Sequence, residues 1–168
     1  MQPDQILNGL SMVVLLLPAD RFLSLFGLRE VLEGHCAAQS AARMTEDEAE
    51  ALYELAFRLS RKEPGREAQL LDCEFHARLV AGAGDPMISS LLETLRKRGR
   101  EFKIYEDQAY SSLKNVSDDA HLGIAKAIRG RDPEAARLLA MAHVRTTRAW
   151  LEKFRPNPQL FSADGQEV

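Results

Sequence analysis

The sequence of 168 residues contains only two cysteines, Cys36 and Cys73, and neither belongs to a CxxC pair. Two cysteines so far apart do not form a disulfide framework, and the usual thiolate metal and redox motifs are missing. Long hydrophobic runs are missing too. The longest, LSMVVLLL at 10–17, has eight residues, whereas a membrane-spanning helix needs about 20. We therefore expect no membrane association, and this run indicates a buried element or a dimer contact.

The chain also lacks an excess of positive charge. It carries 22 Lys and Arg against 25 Asp and Glu, for a net charge of -3. Binding to a phosphate backbone usually requires a clear basic excess, so this chain alone is a poor candidate for nucleic-acid binding. The residues before the apolar run include Asp4 and no Lys or Arg, which is not the start of a secretory signal. A reducing cytoplasm is the expected location.

β-Branched residues are few, whereas Ala, Leu, Glu and Arg are abundant, and this composition favours helices. We expect an all-α fold, an antiparallel bundle of six to seven helices in one domain over 19–155. An apolar stump or linker at 1–18 would precede it, and a flexible tail at 156–168 would follow. The predicted helices cover about 20–43, 46–61, 66–82, 86 to beyond Tyr105, 117–130 and 133–154.

Capping residues set most of these boundaries. The segment TEDE at 45–48 is typical of a capping box, in which Thr45 and Glu48 satisfy each other's backbone N–H groups. Asp85 and Asp132 each precede a proline, the favoured order of N-cap and first helical residue. Ser117 is the predicted N-cap of the fifth helix, and Gly130 is its predicted end.

Three predicted helices direct ionisable groups inward. Asp72 and His76 are one turn apart, on the face that carries Phe75 and Leu79. His121 and His143 also lie on apolar stripes of their helices. A buried polar group without a partner costs roughly 1–3 kcal/mol, so these groups should have partners. A divalent metal in the bundle core would serve all of them, although each histidine could instead bond to a carbonyl or an acid.

Three segments resemble a known family. They are FGLREVLEGHCAAQSAARMTEDE, LLDCEFHARLVAGAGDP and DDAHLGIAKAIRGRDPEAARLLAMAHV. They are similar to the opening helices, the D-x-x-x-H element with its following turn, and the closing helix pair of the FCD domain. That domain is the C-terminal effector-binding domain of FadR-type regulators in the GntR family of bacterial transcription factors. The resemblance covers about residues 19–152.

The resemblance implies a metal site, because all four ligand positions of the family fall on matching residues: Asp72, His76, His121 and His143. It implies Zn²⁺, Ni²⁺ or Mn²⁺, with a small organic acid as effector beside the metal. It also implies that Arg29, on the first helix, binds the effector. A guanidinium suits a bidentate grip on a carboxylate, but Arg29 could equally pair with Glu33 on the helix surface.

Two further features leave alternatives open. His35 shares a stripe with Leu28 and Val31, so it is a second candidate for effector binding, or else it simply packs. The basic run RKRGREFK at 96–103 predicts a solvated or dimer-facing side of the fourth helix. One arginine of that run could instead turn inward towards an anionic effector.

The family places a winged helix-turn-helix before this domain, and the residues before Arg29 are too few to form one. The expected function is thus the ligand-sensing part of a regulator, acting as a homodimer and reaching DNA only through a domain absent from this chain. The alternative is a metal-dependent hydrolase, for which Glu33 or His35 would have to act as general base. A metal-free dimerisation module is a third possibility.

Overall fold

The computed structural model describes residue 23 and residues 25–100 and 110–154. Six helices, and no strand, form this part of the chain: α1 Phe26–Arg43, α2 Glu46–Ser60, α3 Arg66–Gly82, α4 Pro86–Arg100, α5 Ser111–Arg129 and α6 Pro133–Phe154. The all-α prediction is confirmed. The predicted stump at 1–18, the tail at 156–168 and the continuation of α4 beyond Tyr105 lie outside the described residues.

The predicted side-chain caps explain the starts of three of the six helices. The Thr45 hydroxyl accepts from the Glu48 backbone N–H while the Glu48 carboxylate accepts from the Thr45 N–H, which completes the capping box of α2. Asp85 accepts from the N–H groups of residues 87 and 88 at the start of α4. Asp132 accepts from the Ala135 N–H at the start of α6. Short polar side chains at these positions therefore fix where the helices begin.

Two predicted boundaries are wrong. Helix α1 begins at Phe26 after a turn at Leu25, so the predicted helix from about residue 20 is interrupted; residue 23, before the turn, is helical, and residues 20–22 and 24 lie outside the described part of the chain. Helix α5 begins at Ser111, and Ser117 lies within it on the buried face. A serine is a common N-cap, but in mid-helix it can also point into the core.

The turn between α5 and α6 joins this helix pair to α1. Gly130 ends α5 as predicted, with its N–H bonded to the carbonyl of Lys126. The positive φ of 57° falls on the next residue, Arg131. The guanidinium of Arg131 donates to the carbonyls of Ala41 and Met44 at the end of α1. The energetic cost of this rarely populated backbone conformation is offset by the hydrogen bonds of Arg131, which satisfy carbonyl groups at the end of α1.

Helix α1 lies at the centre of the bundle, in contact with α3, α4, α5 and α6. It runs antiparallel to α6, because Glu30 pairs with Arg145 and Gly34 approaches Met141. Helix α2 packs on α3 and α5. The core is built from side chains of all six helices, among them Phe26, Leu52, Phe75, Leu92, Ile124 and Ala140. None of the described helices has the length and apolarity needed to cross a membrane.

The buried face of α1 differs from the predicted one. Leu28 and Val31 are 45% and 61% exposed, and His35 is exposed as well. The expectation that His35 faces inward is therefore wrong. The inward face carries the charged pair Arg29 and Glu33 together with small residues, so the apolar stripe indicated the outer face.

Candidate metal and effector site

Three histidines meet in the core from three helices: His76 of α3, His121 of α5 and His143 of α6. Their side chains are buried, and one ring nitrogen of each lies within 4.8 Å of the others. The Nε2 atoms of His76 and His121 are 3.0 Å apart. The rings of His121 and His143 have centroids 4.6 Å apart. The structure thus brings together the three histidines that the sequence predicted to share one centre.

Asp72 lies at the edge of this centre. Its Oδ1 atom is 3.5 Å from His76 Nε2 and 3.7 Å from His121 Nε2. It reaches this position because it lies one turn before His76 on α3, and both side chains are buried. The exposed Glu74 and Arg78 form their own ion pair on the opposite side of the helix. A carboxylate oxygen therefore faces the same point as two imidazole nitrogens.

The core keeps the three imidazoles neutral. Burial lowers the pKa of His143 to about 4, against the opposing effect of Glu33 and Asp72. Burial also holds the pKa values of His76 and His121 well below the usual range. Neutral imidazole is the form that binds a metal. At neutral pH these histidines are not in the imidazolium form, so a metal does not have to displace a proton from the charged ring in order to bind.

This donor set fits a divalent metal. Three imidazole nitrogens and one carboxylate oxygen are ligands that Zn²⁺, Ni²⁺ and Mn²⁺ all accept, so the set does not choose among these ions. The hydrogen bond between His76 and His121 joins their Nε2 atoms. The Nδ1 atom of His76 is buried, has no hydrogen-bond partner among the described residues and lies 3.5 Å from Glu33 Oε2.

A network of buried charges adjoins the centre, and the sequence did not reveal its extent. Glu33 forms an ion pair with Arg29, with Nη2 to Oε1 at 2.7 Å. Arg96 of α4 lies 3.3 Å from Glu33 and 3.5 Å from Asp72. The Arg29 to Glu33 pair was the predicted alternative to effector binding, but it is buried and not on the surface. Of the basic run, Arg96 turns inward while Lys97 is exposed.

The two arginines keep Glu33 charged in the core. Burial raises the pKa of this carboxyl, but Arg29 and Arg96 more than offset that effect, so the pKa lies well below its usual range. Glu33 is therefore already engaged, and His35 is exposed. Neither of the two residues considered as general base for a hydrolase is in a position to serve as one.

A cavity of about 480 Å³ opens beside the centre, between α3 and α4. Its walls combine apolar side chains and two serines with one histidine of the centre, one arginine and two carboxylates, and they include His76, Arg96, Glu74, Glu93, Val80, Leu92, Ser89 and Ser90. Pockets of this size accommodate small organic ligands. A smaller cavity of about 100 Å³ reaches His143 between α5 and α6. Arg29 and His35 do not line either cavity.

The comparisons with known proteins agree with this architecture. Residues 24–146 match the family model of the FCD domain, so the chain belongs to the FCD family of regulatory domains. It is similar in structure to Streptococcus agalactiae GntR, with a TM-score of 0.63 and 29% sequence identity. That match covers 80% of this chain and 62% of the other. No curated protein matches the sequence.

Proposed function

We propose that this chain is the ligand-sensing domain of a GntR-family regulator and that it binds a divalent metal. His76, His121 and His143 would be ligands, with Asp72 as the fourth. The observation that supports this most is the approach of three buried ring nitrogens from three helices to within 4.8 Å of one another. Family membership adds support.

The proposed effector is a small organic acid in the cavity between α3 and α4. Four protein ligands leave positions open on a six-coordinate metal, and a carboxylate is a natural ligand for them. The guanidinium of Arg96 lines the cavity, so it could bind the same carboxylate. That Arg29 binds the effector stays a prediction, because in this structure Arg29 holds Glu33.

Regulation would follow from a difference in affinity. An effector changes the arrangement of the domain only if it binds two arrangements unequally. In a complete regulator, the change would pass through a homodimer to an attached winged helix-turn-helix and alter DNA binding. The dimer, the DNA-binding domain and the cytoplasmic location are part of this proposal.

Metal counting tests the first step. Protein stripped with a chelator and titrated with Zn²⁺ should bind one equivalent, measured by elemental analysis after gel filtration. His121→Ala should weaken binding by more than the roughly 10–100-fold that loss of an outer partner costs. His35→Ala is the matched control, since His35 is the only histidine outside the cluster. Equal binding by wild type and His121→Ala would contradict the proposal.

Calorimetric titration tests the second step. Acetate, succinate and citrate are titrated into metal-loaded protein, and at least one should bind saturably. Arg96→Gln should weaken that binding, whereas Lys97→Gln, on the exposed side of the same helix, should not. An acid that binds both variants equally would contradict the role of Arg96 and leave the metal site unaffected.

A further inference from the structure

Glu33 lies between the arginines and the candidate metal centre. Its Oε1 accepts from Arg29 Nε at 2.9 Å. Its Oε2 lies 3.3 Å from Arg96 Nη1 and 3.5 Å from His76 Nδ1. The Glu33 side chain is only 3% exposed. A carboxylate this deeply buried is held in place by cations on one side, and its remaining contact on the other side is an imidazole.

The two nitrogens of His76 have different surroundings. Nε2 faces the centre, 3.0 Å from His121 Nε2 and 3.5 Å from Asp72 Oδ1. Nδ1 faces away from the centre and towards Glu33, and no hydrogen bond in the described part of the chain satisfies it. In a neutral imidazole one nitrogen carries the proton and the other has the free lone pair. Only the nitrogen without a proton can bind a metal.

We propose that Glu33 is a positioning residue that holds His76 in the tautomer protonated at Nδ1, which leaves Nε2 free to bind the metal. This inference rests on the proposed metal site. Asp72 cannot do the same, because it faces Nε2. The gap of 3.5 Å between Oε2 and Nδ1 is longer than a hydrogen bond of about 2.7–3.2 Å, so the proposal requires these two atoms to approach each other by a few tenths of an ångström.

The arrangement gives Arg29 and Arg96 an indirect role at the metal. Both arginines keep Glu33 in place, and Glu33 in turn fixes the ring of His76. Carboxylates that accept from the outer nitrogen of a metal-bound histidine typically change metal affinity by 10–100-fold. A residue that serves both the arginines and His76 would also connect an anion bound at Arg96 to the metal ligand.

The tautomer of His76 can be measured without metal. Long-range ¹H–¹⁵N correlation spectra of the assigned, metal-free protein at neutral pH distinguish a protonated Nδ1 from a protonated Nε2. We expect the Nδ1–H form in the wild type. A spectrum that shows the Nε2–H form would overturn the inference, whatever the protein does with metal.

Substitution gives a second readout. Glu33→Gln keeps the shape of the side chain, but its amide N–H₂ can donate to His76 Nδ1 and favour the other tautomer. It should weaken Zn²⁺ binding by roughly 10–100-fold and shift the histidine signals towards the Nε2–H form. Glu30→Gln is the matched control on the same helix, since it also breaks a pair with an arginine, Arg145.

The outcomes separate the two proposals. Wild-type affinity and an unchanged His76 tautomer in Glu33→Gln would refute the role of Glu33, as would an equal loss of affinity in Glu30→Gln. If Glu33→Gln does not fold, the tautomer in the wild type decides. If the wild type binds no metal but His76 is protonated at Nδ1, the proposed metal function fails and the positioning by Glu33 stands.

Discussion

Acidification should destabilise the metal-free protein well before its carboxylates titrate. The folded chain holds His143 at a pKa of about 4, whereas a histidine exposed to water in the unfolded chain has a pKa of about 6.5. Between these values the unfolded state binds a proton that the folded state does not. The free energy of unfolding therefore falls as the pH falls, and the contribution of His143 is constant above pH 6.5.

The magnitude follows from the width of this window. One unit of pKa difference corresponds to about 1.4 kcal/mol. Because a histidine of the unfolded chain is already half protonated at pH 6.5, lowering the pH from 6.5 to 4.5 costs about 2 kcal/mol for His143 alone. His76 and His121 act in the same direction. Below pH 4.5 the unfolded chain also binds a proton at Glu33, whose pKa is lowered in the folded state, and this destabilises the fold further. The histidines are therefore best studied above that value.

Urea denaturation with a chelator present, at pH 7.5, 6.5, 5.5 and 4.5, measures the effect. His143→Leu should flatten the dependence on pH, whereas His35→Ala should retain it because that side chain is exposed. A free energy of unfolding that is constant or rises between pH 6.5 and 4.5 would refute the argument that the imidazoles are buried in neutral form.

Two more predictions concern the packing that positions the site. Gly34→Ala should lower the free energy of unfolding by about 1–3 kcal/mol, because a Cβ there would lie 2.6 Å from the Cγ of Met141. Gly27→Ala is the control: a Cβ there would meet nothing within 4 Å, so this variant should be neutral or stabilising. Equal effects of the two substitutions would contradict the close approach of α1 and α6. Lys114→Met should cost about 3–5 kcal/mol, since it removes the cation 2.6 Å from Asp118 Oδ2 in the core. Adding Asp118→Leu should recover much of that loss, and a double variant less stable than the single one would show that the remaining charge is not the cause.

Much of the fold could be predicted from local chemistry. Thr45, Asp85 and Asp132 mark helix starts correctly because a short side-chain oxygen satisfies backbone N–H groups that have no partner within the helix. Ser117 could not be distinguished from a cap, since its role depends on what packs against it. Such information comes from the tertiary fold and not from the neighbouring sequence.

The histidines were predictable for a related reason. After His121 the buried face of α5 continues with Ile124 and Ile128, so the direction of His121 could be inferred from periodicity. The same argument predicted the wrong buried face for helix α1. Its buried face carries Arg29 and Glu33, and apolar residues such as Val31 lie on the outside. Hydrophobic periodicity fails where a core face is charged.

Arg96 shows the limit of local reasoning. It pairs with Glu33 across 63 positions of sequence, and nothing in the run RKRGREFK distinguishes it from its basic neighbours. Its inward direction depends on two carboxylates supplied by α1 and α3. A cation that is buried by partners on other helices cannot be identified until those helices are placed.

The position of Arg96 also suggests which helix would respond to the proposed effector. Helix α4 contacts α1 and α3, and its Arg96 is held by Glu33 and Asp72. An acid in the cavity between α3 and α4 would compete with those two carboxylates for the same guanidinium. Since Glu33 and Asp72 both face the candidate metal ligands, binding of the acid would change the surroundings of the metal and the attachment of α4 together. In such a sensor the effector would not have to contact the DNA-binding domain. It would be enough that helix α4 can adopt two placements in the bundle and that the acid binds one of them with higher affinity than the other.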